Sequence, residues 1–246
     1  MKIIISPAKK MNIDTDTFLY RNLPVFLDRT REIMSYMKTL SYTDAKKLWG
    51  CNDSIAELNY NRFKEMNLEQ CLTPAIMSYE GIQYQYMAPI VLSDSALNYL
   101  ENHLRILSGF YGVLRPFDGV TPYRLEMQAK AKIGTYKDLY HYWGDSLYHE
   151  VCDDDHIILN LASKEYSKCI EKYLSPEDRF ITCVFGEEIN GKIIQKGTLA
   201  KMARGEMVRF MAENQIEDLE KIKYFNRLNF SYREDLSSKN EFVFIM

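Results

Sequence analysis

Cysteine is sparse in this 246-residue chain: Cys51, Cys71, Cys152, Cys169 and Cys183 are scattered, odd in number and never form a C-x-x-C pair. That excludes a disulfide framework and a zinc ribbon, and it suits a reducing compartment. The four histidines (His103, His141, His149, His156) include no H-E-x-x-H. The run Asp153 to His156 reads as a solvated acidic loop, so no metal site is expected. G-x-G-x-x-G, a P-loop and a G-x-S-x-G elbow are all missing; no cofactor is expected, and the balance lies against an enzyme of common type. No apolar run approaches the roughly 20 residues of a membrane helix. "MKIIISPAKK" is too short an apolar run for a signal peptide, so a cytoplasmic protein with no membrane partner is expected. A net charge of −3 excludes a polycation that coats nucleic acid; any such contact must come from a local concentration of Lys and Arg. Repeats, low-complexity tracts and Gly/Ser linkers are missing as well, so residues 1–246 read as a single domain.

What is present is ordinary globular composition, 46% hydrophobic and 26% charged, enough to bury a substantial core. "KIIIS" reads as a strand stopped at Ser6-Pro7. Leu23-Pro24 opens a predicted helix to about Leu40, with Pro24 near its first position. A second helix runs from about Thr43 to Trp49 and stops at Gly50; Asn52 or Asp53 caps a third, "SIAELNYNRFKEM". "SDSALNYLENHLRILSG" puts Leu97, Leu100, Leu104 and Leu107 on one helical face, with Ser93 as N-cap and Gly109 as terminator. "YKDLYHYWGDSLYHEV" reads as one amphipathic helix, and "HIILNLAS" as a buried strand turning into a helix at Ser163. "RFITCVFGEEINGKIIQ" is a hairpin about Asn190-Gly191. A helix from Thr198 to about Asn214 follows, and "YFNRLNFSYRED…NEFVFIM" closes the chain as a strand pair. The expected fold is therefore mixed α/β: one mixed sheet surrounded by helices.

Three places could carry chemistry. In "LSGFYGVLRPFDGVTPYRLEM" glycines and prolines crowd beside Arg115, Arg124 and Glu126. The alternation of "YRLEM" puts Tyr123, Leu125 and Met127 on one face, with Arg124 and Glu126 on the other. An exposed ion pair would explain those two charges; an oxyanion held by guanidinium and backbone N–H groups would explain them with the glycines. The strand ends after "KIII" and "IILNLA" carry Ser6 with Lys9 and Ser163 with Glu165, where ligands gather in open α/β sheets. Asn160 interrupts an apolar run, so its amide either ties loops or faces a cleft. In "TLAKMARGEMVRFMAEN" the cations Lys201, Arg204 and Arg209 lie opposite an apolar face, as a solvated surface or as a phosphate-contacting strip.

In this order, "SPAK", "LSGFYGVLRPFD", "PYRLEM", "KDLYHYWGD", "NLASKEY" and "KMARGEMVRF" resemble the YaaA family of bacterial peroxide-stress proteins over essentially the whole chain. The resemblance implies a mixed α/β fold with a positively charged cleft, a helix-hairpin-helix element associated with duplex DNA, and a cytoplasmic role in limiting damage by peroxide and iron. Its motifs fall on Lys9, Arg115, Tyr123, Arg124, Glu126, Asn160, Ser163, Lys201, Arg204 and Arg209. Asp44 to Met66, joined through "GCND", is the candidate hairpin, although Asn52 stands where a second glycine is usual. DNA, duplex or distorted, is the expected partner of a chain taken as monomeric by default. The alternative is an enzyme on a phosphorylated or nucleobase-containing substrate, with Lys9 and Glu126 as candidate catalytic groups.

Overall fold

Three consecutive isoleucines with no exposed surface, Ile3, Ile4 and Ile5, can be satisfied only by a strand covered on both faces. The computed structural model, which describes residues 1–246, places them in strand β1 (Lys2–Ile5) at the centre of a sheet. The other strands are β2 (Leu104–Ser108), β3 (Gly112–Leu114), β4 (Ile157–Leu161), β5 (Arg179–Ile189), β6 (Lys192–Ile194), β7 (Ser231–Tyr232) and β8 (Glu241–Ile245). Their order is β7-β8-β5-β4-β1-β2-β3, with β6 hairpinned onto β5. β2, β1, β4, β5 and β8 run parallel, while β3, β6 and β7 are antiparallel additions. One core of 67 buried residues extends from Met1 to Phe244, so the chain is a single mixed α/β domain. No helix is long and apolar enough to cross a membrane.

The predicted helices at the N-terminal end form as Leu27–Thr39, Tyr42–Trp49 and Asp53–Glu65. The last two are joined through Gly50, at φ +56°, and Asn52, whose side chain accepts from the Ile55 N–H at 3.0 Å. Trp49 stacks on Phe63 across this pair. The Asn190-Gly191 hairpin and the closing strand pair also form.

Two expectations fail for identifiable reasons. The segment from Ser93 is not one helix: Asp94–His103 is helical, and Leu104–Ser108 is a strand beside β1. All five of its residues are buried. Leucines three and four apart imitate a helical face, but cover on both sides favours the sheet. Gly109 is accordingly no helix terminator and has no positive φ. It is needed because a Cβ there would lie 2.6 Å from the Leu125 carbonyl oxygen. The "YKDLYHYWGDSLYHEV" segment is two helices, Leu139–Trp143 and Ser146–Val151, parted at Gly144 with φ +57°.

The long helix Gly197–Glu213 packs against the short helix Ile82–Met87, with Gly205 at the crossing. A Cβ on Gly205 would press into the Gln83 carbonyl oxygen and sit 3.0 Å from the Met87 nitrogen. In an exposed helix Gly→Ala gains roughly 1 kcal/mol; here the sign inverts, and Gly205→Ala should cost about 2 kcal/mol by overpacking in urea denaturation.

A second test concerns Asp118, which accepts from the Arg115 N–H at 2.8 Å and is only 2% exposed. Burial pushes its carboxyl up to about 7. The folded state then binds a proton that the unfolded chain releases above about pH 4, so stability is lost as pH rises from about 4 to about 7. Asp118→Asn should remove on the order of 3 kcal/mol of that pH dependence, read as the difference between the two proteins' urea curves across the window.

Candidate functional site

The chain leaves β1 for β2 on one side and later inserts β4 on the other. Loops leaving the carboxyl ends of β1 and β4 therefore diverge, and such a reversal of strand order leaves a crevice. Ser6 follows β1 and Ser163 follows β4, and their hydroxyls meet at 3.1 Å. Ser6 Oγ also accepts from the Ser163 N–H at 2.8 Å. Ser163 occupies the N-cap position of helix Lys164–Glu171, yet its side chain makes no capping bond; it is turned to this junction instead.

Above the junction lies a recess of about 420 Å³. One wall is the Ser6–Lys10 turn, another the irregular segment Tyr123–Glu126, a third the residues 80–84, and a fourth the face of the long helix bearing Lys201 and Arg204. Glu126 lies between two cations, 3.0 Å from Lys9 Nζ and 3.1 Å from an Arg124 terminal nitrogen. Lys10 pairs with Glu80 at the rim. Five cationic side chains face three carboxylates around the recess, so the wall carries an excess of positive charge.

Three lining residues hold buried N–H donors without an acceptor: Arg124 Nε, Arg204 Nε and Gln83 Nε2. Buried donors are nearly always paired, and a guanidinium is costly to leave unpaired. Burial lowers the pKa of Arg204, although an arginine stays charged. Glu165 has its pKa raised, by burial first and then by the charge of Glu126, against the Gln128 N–H that it accepts at 3.2 Å. The carboxylates nearest the cations are already engaged by them, which suits the recess to an anion and not to a metal ion. Tyr123 presents its ring; its hydroxyl is spent on Tyr79 at 2.8 Å and Ser108 at 2.6 Å, and burial pushes it up to about 12.

Of the residues singled out in the sequence, Lys9, Tyr123, Arg124, Glu126, Ser163, Lys201 and Arg204 line this one recess. Three do not. Asn160 is tied by Thr182 Oγ1 at 3.1 Å and by the Ala162 N–H at 2.9 Å, and it lines a separate cavity of about 680 Å³ that shares only Arg204 with the recess. Arg115 lies outside, 3.6 Å from Glu150. Arg209 pairs with Glu213 at 2.8 Å. Five residues beyond Arg204, it is turned about 140° round the helix, whereas Lys201 and Arg204, three apart, share a face. Glu165, which lies within "NLASKEY", and the 80–84 wall, with Gln83 and Tyr84, also line the recess. Glu165 carried a signal in its place just after a strand end; "YEGIQYQYM" carried none.

Comparison with known proteins agrees with the motif pattern. The family described as peroxide stress protein YaaA matches residues 1–236. A UPF0246 protein of Agathobacter rectalis is 59% identical over 99% of this chain and 98% of its own length. Those of Desulfitobacterium hafniense and Pediococcus pentosaceus are 58% and 56% identical, each over 100% of this chain and 98% of their own.

Proposed function

The chain belongs to the peroxide stress protein YaaA family, and from that premise we propose that it is a cytoplasmic, monomeric DNA-binding protein that limits iron- and peroxide-dependent damage. The recess takes a single nucleotide displaced from distorted DNA. The observation that carries this reading is the trio of buried donors on Arg124, Arg204 and Gln83 around one cationic recess. A volume of about 420 Å³ falls within the roughly 300–1,000 Å³ of pockets that enclose a small ligand, and it is far too narrow for a duplex. The guanidiniums and Lys201 suit a phosphate. The rings of Tyr84, Tyr123 and Tyr166 line the same space, as an extruded base requires. The helical hairpin Tyr42–Glu65, with exposed Lys47 and Gly50 at its turn, supplies a second backbone contact.

Fluorescence anisotropy should find tighter binding to a duplex carrying one extrahelical nucleotide than to its fully paired counterpart, with affinity falling steeply between 50 and 200 mM salt on the order of the counterion-release law. Lys201→Ala with Arg204→Ala should flatten the log–log salt slope by about 1 for each phosphate no longer neutralised. Absence of binding at low salt, or a double variant that binds as the wild type does, would refute the reading.

One observation favours catalysis in the same recess on a phosphorylated or nucleobase-containing substrate: Glu165, with its raised pKa, shares the space with Glu126, which is held between cations. A buried carboxyl with a raised pKa beside a reacting group suits general acid or base work. Under this reading Glu165→Gln lowers turnover on a panel of nucleotides and damaged DNA by roughly 10²–10⁴ while leaving DNA affinity intact. Undetectable turnover by the wild type across the panel would leave binding alone.

A further inference from the structure

At the opposite, amino end of β4 three side chains of different chemistry converge. Cys152 Sγ lies 3.3 Å from Asp178 Oδ1 and 3.7 Å from His156 Nδ1, and His156 Nδ1 lies 2.8 Å from the same Asp178 oxygen. We propose that Cys152, His156 and Asp178 form a binding site for a divalent transition-metal ion of the zinc class, separate from the recess.

The separations fit the geometry of such an ion. Bonds of ~2.3 Å to sulfur and ~2.0 Å to nitrogen or oxygen, at tetrahedral angles, put ligand atoms roughly 3.3–3.6 Å apart. The two edges to sulfur, for which that geometry gives about 3.5 Å, are observed at 3.3 and 3.7 Å, each within about 0.2 Å of it. The third, between His156 and Asp178, is short because a proton bridges it, and a metal ion would replace that proton. Thiolate with imidazole excludes magnesium and calcium, which take oxygen, and selects zinc, cobalt or ferrous iron.

The surroundings hold the ligands as metal sites require. The second oxygen of Asp178 accepts from Tyr148 Oη at 2.8 Å and from the Ser175 N–H, which leaves Oδ1 for the cluster. On the far side of the imidazole, Nε2 faces the Glu177 carboxylate at 3.8 Å, so the ring's remaining proton has an anionic neighbour once Nδ1 exchanges its own for the metal. His156 sits at φ +54°, which is uncommon for a residue other than glycine. Its N–H donates to the Asp153 carbonyl at 2.9 Å, and its carbonyl accepts from the Arg179 N–H at 2.8 Å, so the backbone that carries the imidazole is held from both directions. The Asp178 side chain is covered while that of His156 is partly exposed, giving an approach from solvent and an open fourth position for water. The acidic run itself is an exposed loop, as its composition suggests: Asp153, Asp154 and Asp155 face solvent, with Lys2 paired to Asp153 at 2.7 Å and the terminal amine to Asp155; only His156 departs from it, turning to residues the linear pattern does not adjoin.

Chelator-stripped full-length protein is titrated with Co²⁺ and then with Zn²⁺. The expected result is one equivalent of Co²⁺, a near-ultraviolet thiolate-to-cobalt band, visible bands of four-coordinate intensity, and displacement of all of these by Zn²⁺. Cys152→Ser, a near-isosteric change, should abolish the thiolate band, and Asp178→Asn should weaken affinity by at least about 10-fold. Because Asp178 also pins a turn, the Cys152 variant is decisive, and Cys51→Ser with Cys71→Ser should retain the band. A wild type without the thiolate band at one equivalent, or a band that persists in Cys152→Ser, overturns the site.

Discussion

A guanidinium loses strong hydration when it leaves water, and it recovers that loss only if acceptors meet all of its donor directions. Arg124 and Arg204 satisfy this incompletely. Arg124 has Glu126 at one terminal nitrogen while its Nε lacks a partner, and Arg204 has an unpartnered Nε as well. Gln83 adds a third such donor on the intervening wall. Apolar side chains would have met a need for core packing without this penalty. On the proposed reading an anion entering the space they surround would offset the desolvation of these groups, and that constraint would give the rest of the architecture its functional sense.

The scaffold keeps the donors from relaxing towards other partners. Tyr123–Glu126 is outside any regular strand, yet it is fixed because Leu125 lies in the space that a Cβ on Gly109 would fill, and the Gly109 carbonyl is itself held by Trp143 Nε1 at 3.0 Å. Arg204 is fixed by its neighbour in sequence: Gly205 lets the long helix touch the backbone of Gln83–Met87. Two missing side chains thus set the positions of two guanidiniums that are far apart in the chain. The junction of Ser6 with Ser163 supplies the floor, and it exists because parallel strands β1 and β4 end side by side.

The parts of this site legible in the sequence are those fixed by local periodicity. Alternation in "YRLEM" anticipated the buried Tyr123, Leu125 and Met127 and the half-buried Arg124 and Glu126; helical spacing put Lys201 with Arg204. Strand ends marked Ser6 and Ser163. Periodicity also misled where two readings coincide: Leu104 and Leu107 fit a helix face but sit in a strand, since tertiary cover decides between them. Arg209 shares a helix with Arg204 but not an azimuth within reach of the recess, and Arg115 follows the turn held by Asp118 away from it. The 80–84 wall and the Cys152–His156–Asp178 cluster were illegible because only the fold brings their members together.

Glu126 then acquires a role beyond neutralising charge. An incoming phosphate must compete with its carboxylate for Lys9 at 3.0 Å and Arg124 at 3.1 Å, whereas Lys201 and Arg204 carry no such internal partner. The recess is therefore asymmetric, with one cationic wall shielded and one free. On the proposed reading an anion would meet the least competition at the wall of the long helix. It displaces Glu126 from Arg124 only if it offers a second oxygen at the right reach, as a bidentate guanidinium contact demands. A monovalent anion would gain too little on the shielded wall to break that pair, so on the proposed reading any preference for phosphate would follow from the carboxylate as much as from the cations.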